Sequence, residues 1–415
     1  MDSLLRAHAD AIVREAISAV LPDAAVQRAL AGRSFSGQVV LVAAGKAAWQ
    51  MARAASDCLG GRIARGVVIT KYGHARGPIA NCTCFEAGHP LPDENSFRAA
   101  RAAIGLVSGL QAQDTVLFLL SGGGSALFEL PRIPADELQR INAALLASGA
   151  DIVEINTVRK RLSAVKGGRF AEICAPARVE AVILSDILGD PVDMIASGPV
   201  CADPTTAADA RRVAEKYSLP LSAQAAALLD EETPKRADNV RVQITGSVSA
   251  LCAAAAAACR RLGYEPILLT DRLCCQAREA GSFLASILRT HRAERRSLAF
   301  LAGGETVVRV IGRGLGGRNQ ELALAAADGI AGLDGTCLFS FGSDGTDGPT
   351  DAAGGYVDGE SLAALRAAGL DPDAILREND SYRALQQIGG LIVTGPTGTN
   401  VNDVAVGLLR GAEKM

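Results

Sequence analysis

The sequence predicts an α/β protein of two domains, the first a doubly wound parallel sheet and the second a smaller α/β domain with a mixed sheet. Three observations carry this. Short β-branched runs alternate with longer alanine-rich stretches of helical period, the pattern of a parallel sheet covered by helices on both faces. A polar segment, DEETPKRADN (230–239), breaks the alternation with Pro234 and a run of charges and reads as the linker. Nearly every glycine- and charge-rich cluster follows directly on a predicted strand, where open α/β sheets bind their ligands.

Taken in order, residues 1–20 form an amphipathic helix with charges of both signs. It lacks the basic start, apolar centre and small-residue cleavage site of a signal peptide. Strands are expected at 37–44, 66–70, 115–120 and 180–185, with helices at 46–58, 95–110 and 135–150 between them. After the linker, strands are expected at 241–245, 266–270, 297–302, 306–310, 336–341 and 391–394. The runs 297–302 and 306–310 are separated only by Gly303-Gly304-Glu305 and read as a hairpin. The domains are therefore expected at 1–235 and 240–415, with the last segment free to return to the first.

Composition narrows the function. The chain has 415 residues, 49% hydrophobic, enough for two or three domains with sizeable cores. A net charge of −3 leaves no basic footprint for nucleic acid or an anionic membrane. One Trp and five Tyr offer little for base stacking. The uncharged run 242–259 holds Gln243, Thr245, Gly246, Ser247 and Ser249 and reads as strand, turn and helix, not a membrane span. The expectation is a soluble cytoplasmic protein without nucleic-acid or membrane partners. Ten cysteines are scattered. The close pairs Cys82/Cys84 and Cys274/Cys275, with four histidines in the chain, match no zinc spacing and read as reduced and structural.

Eight clusters carry the chemistry. In VVLVAAGKAA, Gly45-Lys46 follows a strand and opens a helix, a place to meet phosphate, although the P-loop glycine spacing and hydroxyl are missing. His89, in EAGHPLPDEN, reads as a turn residue. In TVLFLLSGGGSAL, three glycines between Ser121 and Ser125 serve either a tight turn or an anion nest of backbone N–H groups. The segment NTVRKRLSAVKGGRF (156–170) is either a solvated basic helix or an anion site, with Arg159, Ser163 and Lys166 on one helical face. ILSDILGDPVDMIASGPV supplies Asp186, Asp190 and Asp193 after a strand, suited to a general base or a metal shell.

Further on, Glu305 stands between two strands. Gly316-Gly317-Arg318-Asn319 opens a helix with a cation against its dipole, which suggests a bound anion. FGSDGTDGPTDAAGG offers Asp344, Asp347 and Asp351, not in EF-hand spacing but adequate to hold one Mg2+ through one or two carboxylates. LIVTGPTGTNVND ends in a Gly/Thr/Asn turn followed by Asp403. Cations and backbone nests with carboxylates are the parts of phosphoryl transfer, and no G-x-S-x-G elbow for acyl transfer is present.

Taken in order, AAGKAA, AGHPLPDEN, LLSGGGSAL, VRKRLSAVKGGR, SDILGDPVDMIASGPV, GGRNQELAL, SDGTDGPTDAAGG and TGPTGTNVND resemble the glycerate kinase type-2 family with its MOFRL domain, over nearly the whole chain. The resemblance implies ATP-dependent phosphorylation of D-glycerate to 2-phosphoglycerate, two α/β domains of which the first is Rossmann-like, and an active site in the cleft between them. It places the family's lysine on Lys46 and its arginine on Arg318, both expected to touch the transferring phosphoryl group. Asp190, with Asp186 as the alternative, is the expected carboxylate at the attacking hydroxyl or the metal. The expected nucleotide and substrate contacts are Gly45, Ser121, Gly122, Gly123, Gly124, Ser125, Lys166, Ser197, Glu305, Asn319, Thr397 and Asn400, with Mg2+ on Asp344, Asp347 and Asp351. A homodimer is left open. The rival activities are an NAD(P)-dependent hydroxypyruvate reductase, for which the turn A-A-G-K-A-A lacks the dinucleotide spacing, and a non-catalytic sugar-phosphate sensor.

Overall fold

The computed structural model describes residues 2–411. Two compact units result, Ala25–Thr245 and Met1–Ala24 with Gly246–Met415. In the first unit the strands are β1 (Val39–Ala44), β2 (Ile63–Lys71), β3 (Cys82–Ala87), β4 (Thr115–Leu120), β5 (Arg178–Leu184) and β6 (Val240–Gly246). Their order in the sheet is β3-β2-β1-β4-β5-β6, and the pairs from β3 through β5 are parallel. This is the doubly wound order whose direction reverses between β1 and β4, so a crevice opens where those two strands end.

Burial explains why these residues form such a sheet. β1 and β4 are buried at every position. Val40, Val42, Val116 and Phe118 pack into one core and Val39, Leu41, Leu117 and Leu119 into another. Both faces are apolar, so the strands read as continuous hydrophobic runs and not as an alternation. Each such side chain contributes about 1.5–3 kcal/mol of burial.

The second unit holds β7 (Glu265–Leu273), β8 (Leu298–Gly304), β9 (Thr336–Gly342), β10 (Gly354–Asp358), β11 (Leu391–Ile392) and β12 (Asp403–Leu409), in the order β11-β10-β9-β12-β8-β7. β7 and β8 are parallel; the other pairs are antiparallel. The sheet is mixed, as expected.

Three expectations differ from the structure. The segment 230–239 is not a linker: Glu232 reaches the buried Arg161, Thr233 donates to Asp203, and β6 after it joins the first sheet. The boundary therefore falls near residue 245. It is the amino-terminal helix Ser3–Ala19, not the last segment, that crosses to the other unit, where His8 bonds Tyr264 and Asp2 accepts and donates bonds at its cap and at Asp358. The hairpin at 306–310 is absent. Both edges of β8 are already occupied by β7 and β12, and the run following it makes only a single bridge, Val307 to Gln276. Among the described residues no helix is long and apolar enough to cross a membrane.

Candidate active site

At the β1/β4 switch point the two strand-end loops interlock. Lys46 N–H donates to the Gly122 carbonyl at 2.9 Å, Ala47 N–H to Ser121 Oγ at 3.0 Å, and Ser121 N–H to the Ala44 carbonyl at 3.0 Å. Gly45 takes φ +128 with Ser121 directly against its Cα, which leaves no room for a side chain. Ser121 is buried and serves as the clasp. The helix after the three glycines is only Gly124–Leu127, too short to supply the macrodipole expected of an anion nest.

The glycines have another cause. A Cβ on Gly122 would lie 3.0 Å from Asp186 Cγ and nearer still to Oδ2, and one on Gly123 would lie 3.1 Å from His89 Nε2 and 3.2 Å from Lys46 Cγ. Side chains from the loops after β1, β3 and β5 thus close onto the β4 turn, and only glycine leaves them space. Gly123 additionally takes φ +87, a conformation glycine adopts at little cost. The side chains of three neighbouring loops crowd this backbone stretch.

Lys46 is half-buried. Burial first, then the charges of Lys46 and Lys71 and the ring of His74, push the His89 imidazole below its ordinary value. His89 is therefore neutral at pH 7, able to hydrogen-bond an anion without adding charge. A lysine, a neutral imidazole and the Asp186 carboxylate meet at one turn, an arrangement able to hold an anionic group beside an acceptor for a proton.

The loop after β5 is held in strain. Asp190, Ala196 and Ser197 take φ +54, +51 and +61, at a cost of about 1–2 kcal/mol each for non-glycine residues. The basic segment clamps it. Fully buried Lys160 bonds Asp193 Oδ2 at 3.2 Å and Asp203 Oδ1 at 3.0 Å. Ser197 Oγ donates to Asn156 Oδ1 at 2.7 Å, and Gly167 and Gly168 N–H donate to the Ser197 and Gly198 carbonyls. Lys166 is equally committed: its ammonium meets the Ser125 and Phe128 carbonyls at 2.8 and 3.0 Å and Glu129 Oε2 at 3.1 Å. The helix Ile152–Leu162 ends before Ser163, so Ser163 and Lys166 do not share a helical face with Arg159. Lys160, Arg161 and Lys166 are buried, so the segment is not a solvated basic helix. Lys166 and Ser197 position the loops and leave no donor for a ligand. Asp190 Oδ1 is buried without a hydrogen-bond partner.

In the second unit, Arg318 opens the helix Arg318–Ala326 at the end of β8. Its Nε and Nη2 bond Asp403 Oδ2 and Oδ1 at 2.6 and 3.2 Å, and its Nη1 bonds Glu305 Oε1 at 2.9 Å. Burial opposes the charge, but the Asp403 bond and the carboxylates of Asp403 and Glu305 raise the guanidinium above its ordinary value. The anion that offsets a cation at this helix start is thus the protein's own. Three of five N–H donors are used, so two remain.

The metal set does not assemble. Asp347 is buried and accepts Asn319 and Gln320 N–H at 3.1 and 2.8 Å, capping the same helix; burial raises its carboxyl to about 6. Asp351 accepts the Tyr382 hydroxyl at 2.7 Å, and Asp344 closes a turn onto Thr346 N–H. Among the described residues no group of three acids, histidines or cysteines could hold a metal ion. The carboxylates of Asp344 and Asp403 do face one point over Gly342, 3.2 and 3.3 Å from where its Cβ would stand. Asn319 is buried against Asp347 and Ser340. Thr397 Oγ1 donates to the Ser343 carbonyl at 2.6 Å and Asn400 Oδ1 accepts Asn402 N–H at 3.3 Å, both shaping the turn before β12.

Two contributors escaped the sequence reading. His89 carries a signal in hindsight, a lone histidine among turn residues after a strand. Asp403, which binds Arg318 through both carboxylate oxygens, stands at the first position of an apolar strand, a place where an acid has no structural reason to be.

Two family models match the chain: a domain of unknown function, DUF4147, over residues 8–230 and the MOFRL family over 298–403. A Thermotoga maritima protein named D-glycerate 2-kinase is 52% identical over 96% of this chain and 97% of its own length. A crystal structure of glycerate kinase from the same organism superposes with a TM-score of 0.93 at 51% identity, covering 98% and 99% of the two chains. An Agrobacterium vitis protein with the provisional name hydroxypyruvate reductase is 43% identical over 89% of this chain and 86% of its own.

Proposed function

Because the chain belongs to the glycerate kinase family that joins a DUF4147 domain to a MOFRL domain, we propose that it transfers the γ-phosphoryl group of ATP to the 2-hydroxyl of D-glycerate. One observation within the chain supports this above others: Lys46, Asp186 and a neutral His89 close onto one glycine turn at the doubly wound switch point. The hydroxyl oxygen forms its bond to the γ-phosphorus, the bond from that phosphorus to the β,γ-bridging oxygen breaks, and ADP leaves with the electron pair. The hydroxyl proton passes to the Asp186 carboxylate. Asp186, against Gly122, is the better placed acceptor than Asp190, whose Oδ1 is buried.

Lys46 balances charge on the equatorial oxygens, an electrostatic role worth about 3–4 kcal/mol when a single donor is removed. A Mg2+ ion brought with ATP would be held by Asp344 and Asp403 and would neutralise phosphate charge; such ions need only one or two carboxylates besides the phosphates. ATP chemistry and ten free cysteines suit the cytoplasm.

A reductase would bring a dinucleotide pyrophosphate close to the first strand-end turn, but Ser121 packs directly on Gly45 there. The test is product analysis with D- and L-glycerate, resolving 2- from 3-phosphate, on the wild type and on Lys46→Ala. The expected result is 2-phospho-D-glycerate from the wild type and a loss of about 10²–10³-fold in kcat in the variant with its fold intact. NADH oxidation by hydroxypyruvate without ATP would instead establish the reductase.

A further inference from the structure

We propose that the pocket of about 600 Å3 in the mixed-sheet unit is the nucleoside subsite, taking the uncharged adenosine end of ATP against Val307, Val308 and Val310. The proposal rests on the phosphoryl-transfer reading above and adds to it the segment of the mixed-sheet unit that meets the nucleoside.

The run TVVRV has the composition of a strand and yet forms none. It lies beside the residues after β7 through one bridge at Val307, with Val307 N–H donating to the Cys275 carbonyl at 2.9 Å. Its side chains stay in the open: Val307 is 54% and Val310 75% exposed. Contiguous apolar surface of this kind on a folded chain marks a binding surface more often than an accident. Val307, Val308 and Val310 together form one wall of the pocket.

The opposite character of the remaining wall selects the ligand. It carries Glu305, Glu321, Asp344 and Asp347, against a single cation, Arg318, already bonded to Glu305 and Asp403. A glycerate carboxylate placed against this wall would meet like charge. Carboxylates only accept hydrogen bonds, and a nucleoside presents ribose hydroxyls and an exocyclic amine that donate them. One apolar wall for a planar base and one acceptor-rich wall for its sugar fit adenosine in size as well, since small-molecule pockets span about 300–1,000 Å3.

The frame is pre-set. Gly314 and Gly316 stand against Asp380 and Ser381 so closely that any Cβ would collide, and Asn379 Oδ1 accepts Ile311 and Gly312 N–H at 2.9 and 3.0 Å. The glycines of this stretch seat the valine wall on the helices Pro372–Glu378 and Ser381–Gln387, and do not form an anion nest. A wall ordered before binding loses less freedom on binding.

The experiment uses the full chain and adenosine, which has no phosphate. Adenosine is expected to inhibit competitively against ATP and not against D-glycerate. Val307→Asp and Val310→Asp are expected to raise the KM for ATP by about tenfold and leave the KM for D-glycerate within about twofold. Should either variant misfold, hydrogen exchange on the wild type decides: ADP is expected to protect residues 305–317, and D-glycerate not to. Adenosine binding by calorimetry reads the subsite even if no glycerate phosphate is formed, so that failure of the activity and failure of the subsite are told apart. The proposal is overturned if adenosine does not bind, if the valine variants raise the KM for glycerate instead, or if ADP protects only the strand-end loops of the first unit.

Discussion

Gly122→Ala isolates the role of Asp186 from the stability of the fold. Gly122 is not among the residues with positive φ, so alanine fits its backbone without strain. The new methyl would stand 3.0 Å from Asp186 Cγ, nearer still to Oδ2, where ordinary contact begins at 3.4 Å. The carboxylate must therefore retreat by about 1 Å. It is the far end of a flexible side chain, so the retreat costs little folding energy, and the loss of glycine freedom in the unfolded chain contributes about 0.4–1 kcal/mol in favour of the variant. Catalysis has no such tolerance: a misplacement of about 1 Å costs about 10²-fold, equivalent to about 2.7 kcal/mol in the barrier.

The assay is ADP release at saturating ATP and D-glycerate, with Tm measured alongside. The expected outcome is a kcat lowered about 100-fold with Tm within about 4 °C of wild type. Gly124→Ala is the comparator. Its methyl would meet Ala196 Cβ at 2.8 Å and Leu120 Cδ1 at 2.9 Å, packed core atoms that cannot swing away, so overpacking of about 1–3 kcal/mol is expected in stability and little in the kcat of the folded fraction. A Gly122→Ala enzyme that keeps kcat within about threefold of wild type would refute the assignment of the proton to Asp186.

Two further predictions concern buried charge. Lys166→Met leaves Glu129 buried without its partner and the Ser125 and Phe128 carbonyls without a donor; a loss of about 3–5 kcal/mol is expected in denaturant unfolding, and a loss below about 1 kcal/mol would show the ammonium to be dispensable. Asp347 is held near 6 against an unfolded value of 3.8, so between those values the folded state keeps a proton the unfolded state has released. Its contribution is full below pH 3.8 and disappears as pH rises through about 6, a span of up to about 3 kcal/mol. Asp347→Asn is expected to flatten this fall in urea unfolding measured at pH 4.5 and 7.5, and an unchanged slope would place the titration elsewhere.

The parallel sheet was legible because its strands are buried on both faces, and continuous runs such as VVLVAA and TVLFLL have few other ways to fold. What escaped was decided by partners distant in sequence. CTCFEA and GGYVD are short or glycine-bearing and become strands only beside β2 and β9. TVVRV has every local mark of a strand, but β8 had no free edge to offer it. The polar segment 230–239 resembles a linker because its charges are the visible half of pairs, the other half being Arg161 and Asp203 buried elsewhere in the chain.

The same reason governs the sites. A motif shows which residue types cluster, but a charge's role depends on whether it is already paired. Lys46, Lys160, Lys166 and Arg318 look alike in sequence, each a cation in a basic or glycine-rich motif. Only the fold separates the one that stands with Asp186 and His89 at a strand-end turn from the two bound wholly to the protein's own acceptors and the one that keeps two donors in reserve. Glycine clusters divide in the same way. Gly122 and Gly123 admit reactive side chains, and Gly314 and Gly316 admit a neighbouring chain segment. An anion-binding reading of a glycine-rich loop therefore has to be tested against what a Cβ would strike: open space argues for a ligand, a carboxylate or imidazole argues for catalysis, and a helix argues for packing.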